Sequence, residues 1–431
     1  MGSCFRWFYL LLFGGRLVRN AKRRETRYHQ SLSKQLSETN RKMTDSKKIV
    51  LFGAGKIGRS FIAQLFSRGG FEVVFVDIFK PVIDALNERR SYNVVIKGDA
   101  EEIIQVKNVR GVLAGDSKKV IHEIASADIL AVSVGQNGLP GIMPLLAKGL
   151  LKRFEQNSSL ALDIIIAENL RNAAGFFELE LKKFLPGKYP MADLVGFVET
   201  SIGKMVPIML KKDVEEDILQ VFAEPYNTLI LDRKAFKNPI PEMEGLAPKE
   251  NMKAWVDRKL FIHNLGHAAA AYIGYKYNPQ FMYLHEALAI PEIHSEVRET
   301  MLQAASILLA KYPEEFTAIA LTEHIDDLLH RFQNKALGDT IYRVGCDLMR
   351  KLGAGDRLAG AINLAMELEM PYDKIFQALL CGCLFRATDE HGNRLPGDLR
   401  FIEIYKKGIH EVLTTVCGFQ DTSIFGSNLK N

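Results

Sequence analysis

Cysteine is scarce in this sequence: five residues in 431, Cys4, Cys346, Cys381, Cys383 and Cys417, with no CxxC pair among them. An odd count without paired spacing excludes a disulfide framework and a zinc ribbon, and predicts reduced thiols in a cytoplasmic protein. Long apolar runs are missing as well. The stretch 5–13 (FRWFYLLLF) is too short to cross a hydrocarbon core of roughly 30 Å, and no later segment is long and apolar enough. The HExxH signature of a zinc hydrolase does not occur.

A basic excess is lacking where a globular body is expected. The whole chain carries 56 Lys and Arg against 51 Asp and Glu, a formal charge of +5. Residues 1–42 alone hold ten basic and two acidic side chains, a balance of +8, so the other 389 residues stand at −3. A body of that charge speaks against nucleic acid as a partner, because backbone-driven binding needs clustered Lys and Arg. The leader lacks the charge order of a secretory signal, since its main positive cluster follows the apolar run. Met1-Gly2-Ser3-Cys4 opens like a myristoylation site but has Arg6 where that motif takes Ser or Thr. Residues 1–43 are therefore expected to be a detachable leader with a native start at Met43; a membrane-surface anchor is the alternative. No membrane partner is expected for residues 44–431.

What is present is an ordinary globular composition, 47% apolar and 25% charged, long enough for two domains. From Lys48 the sequence KKIVLFGAGKIGRSFIAQLFSRGGFEVVFVDI reads as strand, glycine turn, helix and strand. Gly53, Gly55 and Gly58 form GxGxxG between the first strand and the helix. The first glycine suits a tight turn, the second lets the backbone approach a pyrophosphate, and the third allows close helix packing. Asp77, 19 residues after Gly58, ends the second strand, where a carboxylate accepts from ribose hydroxyls and repels a 2′-phosphate. The segment Gly53, Ala54, Gly55, Lys56, Ile57 and Gly58, with Asp77, is thus expected to bind NAD rather than NADP. Residues 127–134 and 161–167 read as further buried strands. The first leads into Gly135, which is placed to face the nicotinamide; the second ends at Glu168-Asn169, where Asn169 either enters the same crevice or caps the next helix.

After about residue 240 strand signals stop and helical periods dominate. At 100° per residue, Lys259, His263, Asn264 and His267 share one face of a helix. Two chemistries compete for that face: metal binding by His263 and His267, for which no third ligand is identifiable, or a desolvated lysine base assisted by Asn and His.

The KxxxxNxxH pattern at Lys259, Asn264 and His267 resembles the polyol-specific long-chain dehydrogenases. The likeness extends from Ile49 to about Leu380 through FGAGKIGR (52–59), DALNERRSYNV (84–94), AENL (167–170), GFVETS (196–201), RKLFIHNLGHAAAAYIG (258–274), RFQNKALGDTIYRVG (331–345) and RKLGAGDRL (350–358). It implies an α/β architecture, with an N-terminal Rossmann-type doubly wound sheet (44–240) followed by a mostly α-helical substrate-binding and catalytic domain (241–425). It further implies Lys259 as general base, Asn169 and Asn264 as the amides holding the reacting oxygen, His267 as the substrate-orienting partner, and no catalytic metal. The implied reaction is NAD-dependent interconversion of D-mannitol 1-phosphate and D-fructose 6-phosphate. The alternatives are an unphosphorylated polyol or hexuronate substrate, or a non-catalytic NAD-binding regulator. Arg343, Arg350, Lys351 and Arg357 offer the cations for a phosphate. One departure stands out: Gly203-Lys204 occupies the place of the family's usual Asp-Arg, so a carboxylate is expected to be missing near the domain junction.

Overall fold

The computed structural model describes residues 47–422 and residue 425; the expected leader lies outside them. Eleven strands are named: β1 (Lys48–Phe52), β2 (Glu72–Asp77), β3 (Ser91–Lys97), β4 (Glu101–Lys107), β5 (Val109–Leu113), β6 (Ile129–Val132), β7 (Leu162–Ile166), β8 (Val195–Ser201), β9 (Val221–Ala223), β10 (Leu229–Asp232) and β11 (Leu246–Lys249). Eight of them form one sheet in the order β11-β10-β8-β7-β6-β1-β2-β5, and β4-β3-β9 form a second.

From β5 to β8 the large sheet is wholly parallel, with Val50 registered against Val74 on one side and Leu130 on the other. The order reverses at β1, which places a crevice between the carboxyl ends of β1 and β6, the topological switch point of a doubly wound sheet. Both faces are buried, as the continuous apolar run of β1 requires. Ile49, Leu51, Val73 and Phe75 pack on one side, and Val50, Phe52, Val74 and Val132 on the other. The sheet also continues past residue 240. β11 pairs in parallel with β10, and its sequence, LAPK, carries a proline tolerable only at a sheet edge, so no strand pattern announces it.

The helical half packs around Leu265–Tyr277, in which Ala268, Ala269, Ala270 and Ala271 are all buried. Small residues let neighbouring helices approach: a Cβ on Gly266 would stand 2.4 Å from the Met301 sulfur, and one on Gly274 2.6 Å from Ala287 Cβ. Among the described residues no helix is long and apolar enough to cross a membrane.

Two π-helical turns interrupt otherwise α-helical segments, Gly58–Ile62 after the glycine turn and Lys259–Asn264 before the central helix. The second alters the helical geometry expected from the sequence. Leu265 N donates to Leu260 O, five residues back, so a rotation of 100° per residue does not hold between Lys259 and Asn264. π-turns of this kind occur frequently at functional sites, where the extra residue redirects side chains.

Candidate active site

The glycine turn is built by close contact. Gly53 has φ +99°, and a Cβ there would lie 2.1 Å from Ser133 O; one on Gly58 would lie 2.2 Å from Gly53 O. Gly55 differs, since no atom stands within 4 Å of where its Cβ would be. Two of the glycines therefore close the turn and the third leaves room above it, with Gly55 and Lys56 exposed and Ile57 partly so at the start of the helix. Ala54 is buried beneath. Asp77 has a second task that its spacing did not reveal: its carboxylate accepts from Ala54 N at 2.7 Å and Phe79 N at 2.8 Å, fixing the turn as well as marking the strand end. An open Gly55, an accessible helix start and a carboxylate beside them fit a dinucleotide's pyrophosphate and ribose.

Across the crevice, Gly135 has φ +76° with open space on its Cβ side. Glu168, not singled out from sequence, holds this turn by accepting from Val134 N and Gly135 N at 2.7 and 2.8 Å. Burial pushes its carboxyl above the ordinary value, while those two amides oppose the shift. The next residue, Asn169, accepts through its backbone from Gln136 Nε2 at 2.6 Å and presents Oδ1 to Lys259 Nζ at 3.4 Å. The structure thus brings Asn169 and Lys259 together although 90 positions separate them.

Lys259 retains some exposure, yet burial, reinforced by the positive charge of Arg357, brings its pKa down to about 8. No carboxylate pairs with it among the described residues, and the absence of an acidic partner is what lets desolvation prevail. Asn264 follows at the end of the π-turn, its backbone oxygen 3.4 Å from Arg357 Nη1. His267 stacks on Phe332 with 4.8 Å between ring centroids and 20° between planes. Its Nε2 lies 2.8 Å from Asp339 Oδ2. His263 is buried against the same phenylalanine at 5.6 Å, and burial holds its pKa far below the ordinary histidine value. Among the described residues, no three His, Cys, Asp or Glu side chains converge as a metal site.

The four basic candidates separate. Arg343, Lys351 and Arg357 all act electrostatically on His267, and with burial they keep its pKa far below the ordinary value. Arg343 pairs with Asp339 while remaining half exposed. Lys351 is buried, donates to Val344 O at 2.7 Å, and is pushed down to about 8 chiefly by burial and then by Arg357. Asp398 supports this segment by accepting from Asp347 N and Leu348 N. Arg350 instead turns to Asp347 and Asp356.

The junction was expected to lack a carboxylate, but the structure places one there. Glu224, fully buried, accepts from Met205 N and takes both Arg331 Nε and Nη2, at 2.8 and 2.6 Å. Arg331 also donates to Gly203 O at 2.6 Å. Sequence reasoning had no means of seeing that Glu224 and Arg331, 107 positions apart, would meet beside Gly203. Lys204 itself is buried, donates to Asn227 Oδ1 at 3.1 Å, and is brought down to about 8, principally by burial.

Comparison with known proteins agrees with this architecture. Among solved structures, Pseudomonas fluorescens mannitol 2-dehydrogenase, in a ternary complex with NAD and D-mannitol, superposes with a TM-score of 0.69 at 18% identity, over 89% of this chain and 90% of that one. A D-sorbitol dehydrogenase gives 0.66 at 17% identity, over 81% and 83%. These likenesses show the fold. In sequence, mannitol-1-phosphate 5-dehydrogenase of Lactococcus lactis subsp. cremoris is 35% identical over 355 residues, 81% of this chain and 88% of the relative. The enzyme of the same name from Streptococcus pneumoniae is 33% identical over 382 residues, 88% and 98%. Residues 47–245 match the family model for the mannitol dehydrogenase Rossmann domain and residues 251–429 that for the mannitol dehydrogenase C-terminal domain. The chain belongs to the mannitol dehydrogenase family.

Proposed function

We propose that the protein interconverts D-mannitol 1-phosphate and D-fructose 6-phosphate with NAD, using Lys259 as a metal-independent general base. The observation that carries this reading is the Lys259 amine: desolvated, without a carboxylate partner, and 3.4 Å from the Asn169 amide oxygen at the domain crevice.

The backbone from Gly53 to Gly58, including Ala54, Lys56 and Ile57, would hold the pyrophosphate, Asp77 the adenosine ribose, and Gly135 the nicotinamide side. NAD, when bound, supplies the hydride acceptor. In the oxidation direction neutral Lys259 Nζ takes the proton of the substrate hydroxyl as the carbon bearing it gives up hydride. Asn169 and Asn264 steady the oxygen while negative charge develops on it. His267 orients the substrate. Arg343, Lys351 and Arg357 offer a phosphate three cations clustered about His267, although Arg343 and Arg357 also pair with Asp339 and Asp356; Arg350, the most exposed of the four, pairs with Asp347 and Asp356. The names of the sequence relatives support the phosphorylated substrate.

Assays of mannitol, mannitol 1-phosphate and fructuronate side by side with NAD(H) test the reading. Turnover is expected on mannitol 1-phosphate with NAD, and faster than on the other two. Preference for mannitol or fructuronate would overturn the phosphate assignment, and NAD binding without turnover on any of them would overturn the catalytic one.

A further inference from the structure

His267 sits in a setting more specific than substrate orientation alone requires. Its Nε2 meets Asp339 Oδ2 at 2.8 Å, and the second Asp339 oxygen, buried and without a hydrogen bond of ordinary geometry, is in ion-pair contact with the Arg343 guanidinium. Asp339 is almost completely enclosed, with 4% of its side chain exposed against 17% for His267. Its position is set by the backbone too: Asp339 O accepts from Leu284 N at 2.8 Å, and Thr340 bridges to Tyr283. The imidazole plane is held by stacking on Phe332, next in sequence to Arg331, whose bidentate pair with Glu224 anchors that end of its helix. Nδ1 of His267 has no hydrogen-bond partner among the described residues, nor is it among the sealed, unpartnered polar atoms. One ring nitrogen is thus committed to a buried carboxylate, and the other is neither hydrogen-bonded within the described residues nor sealed from solvent.

From these contacts we infer that Asp339, balanced by Arg343, is a positioning residue that fixes His267 as the Nε2–H tautomer, so that Nδ1 is an obligate hydrogen-bond acceptor for a substrate hydroxyl. A carboxylate can only accept, so a neutral imidazole facing it must carry its proton on Nε2. Arg343 neutralises Asp339, which removes the usual reason for an adjacent carboxylate to convert histidine into imidazolium; burial and the three nearby cations act in the same direction. A neutral acceptor suits a polyol, whose hydroxyl has a proton to give, better than it suits a carbonyl oxygen. The role of Asp339 as a positioning residue for substrate rests on the proposed function; the tautomer itself does not.

Asp339→Asn separates these ideas. Arg343 donates only, so it should claim the amide oxygen of the new side chain, turning the NH2 group toward His267. The imidazole must then accept at Nε2 and carry its proton on Nδ1. In full-length protein labelled with 15N-histidine, with His267 assigned by His267→Gln, the wild type should show a protonated Nε2 and an unprotonated Nδ1. Asp339→Asn should show the reverse. The Michaelis constant for mannitol 1-phosphate should rise about tenfold or more in this variant, through loss of the acceptor, while NAD affinity stays within about twofold of wild type. The wild-type spectrum is decisive even if the variant fails to fold: a protonated Nδ1 or an imidazolium at neutral pH would overturn the inference. So would an unchanged tautomer in folded Asp339→Asn. The expected tautomers without turnover on mannitol 1-phosphate would leave the tautomer assignment standing and sink the proposed function instead.

Discussion

In the sheet half, the candidate cofactor site is made almost entirely of backbone: Gly53 at φ +99°, Gly58 pressed against Gly53 O, and the exposed start of the following helix. In the helical half, the candidate catalytic site is made of side chains whose charge is controlled by burial and neighbours. Lys259 and Lys351 are each brought down to about 8, and His267 is kept neutral within reach of Arg343, Lys351 and Arg357. The first half depends on shape and is expected to lose function when a methyl group cannot fit. The second depends on electrostatics and is expected to lose function when a proton or a charge is misplaced, with the fold intact. Each half also relies on a carboxylate that binds backbone or buried groups rather than ligand: Glu168 holds the Gly135 turn, and Glu224 anchors Arg331 across the domain junction.

Substitutions on the two sides should fail differently. The largest effect is expected from Lys259→Ala: turnover should fall about a thousandfold, the scale of losing a general base, with NAD affinity and melting temperature nearly unchanged. Near-normal turnover would remove lysine from the chemistry. In the backbone-built site, Gly53→Ala should destabilise the fold by about 1–3 kcal/mol, since its Cβ would strike Ser133 O from a left-handed backbone. Gly55→Ala should leave thermal stability unchanged or slightly higher, yet weaken NAD binding. Equal thermal losses in the two variants would erase the distinction between turn-closing and ligand-facing glycines.

Arg343→Ala should raise the Michaelis constant for mannitol 1-phosphate about ten- to thirtyfold, as expected for a lost charge-assisted hydrogen bond. Arg350→Ala, whose side chain is taken up by Asp347 and Asp356, should change it less than about threefold. Asp77→Ala should act on cofactor choice more than on affinity. Because that carboxylate also braces Ala54 N, NAD binding should weaken about tenfold or less while discrimination against NADP relaxes. Unchanged cofactor preference would contradict the ribose role.

The difference between the halves also explains what was legible in the sequence. A glycine turn is a local object: Gly53, Gly55, Gly58 and Asp77 lie within 25 residues, and their spacing states their purpose. The catalytic group is assembled across long separations, and the meeting of Asn169 with Lys259 came from family resemblance, not from spacing. Periodicity at 100° per residue placed Lys259, His263, Asn264 and His267 on one face without anticipating the π-turn that rotates them. Spacing gave His263 the same standing as His267; the family resemblance favoured His267, and their surroundings differ as well: His267 meets Asp339 and keeps some exposure, while His263 is buried against Phe332. The stretch RFQNKALGDTIYRVG contains Arg331, Phe332, Asp339 and Arg343. Arg343 alone was singled out from it, whereas the tasks of Arg331 and Asp339 are visible only once Glu224 and His267 are beside them.

The central claim is that a neutral, desolvated Lys259 accepts the substrate proton, and the pH dependence of kcat/KM tests it most directly when measured in both directions. With its pKa brought down to about 8, Lys259 is increasingly deprotonated as pH rises through that value. Oxidation of mannitol 1-phosphate should therefore climb through an apparent pKa near 8 to a plateau, and reduction of fructose 6-phosphate should fall over the same interval. Residual activity of Lys259→Ala should lack this limb. A wild-type oxidation profile flat from roughly pH 6.5 to 9.5, or a limb near 8 that persists in Lys259→Ala, would contradict the claim.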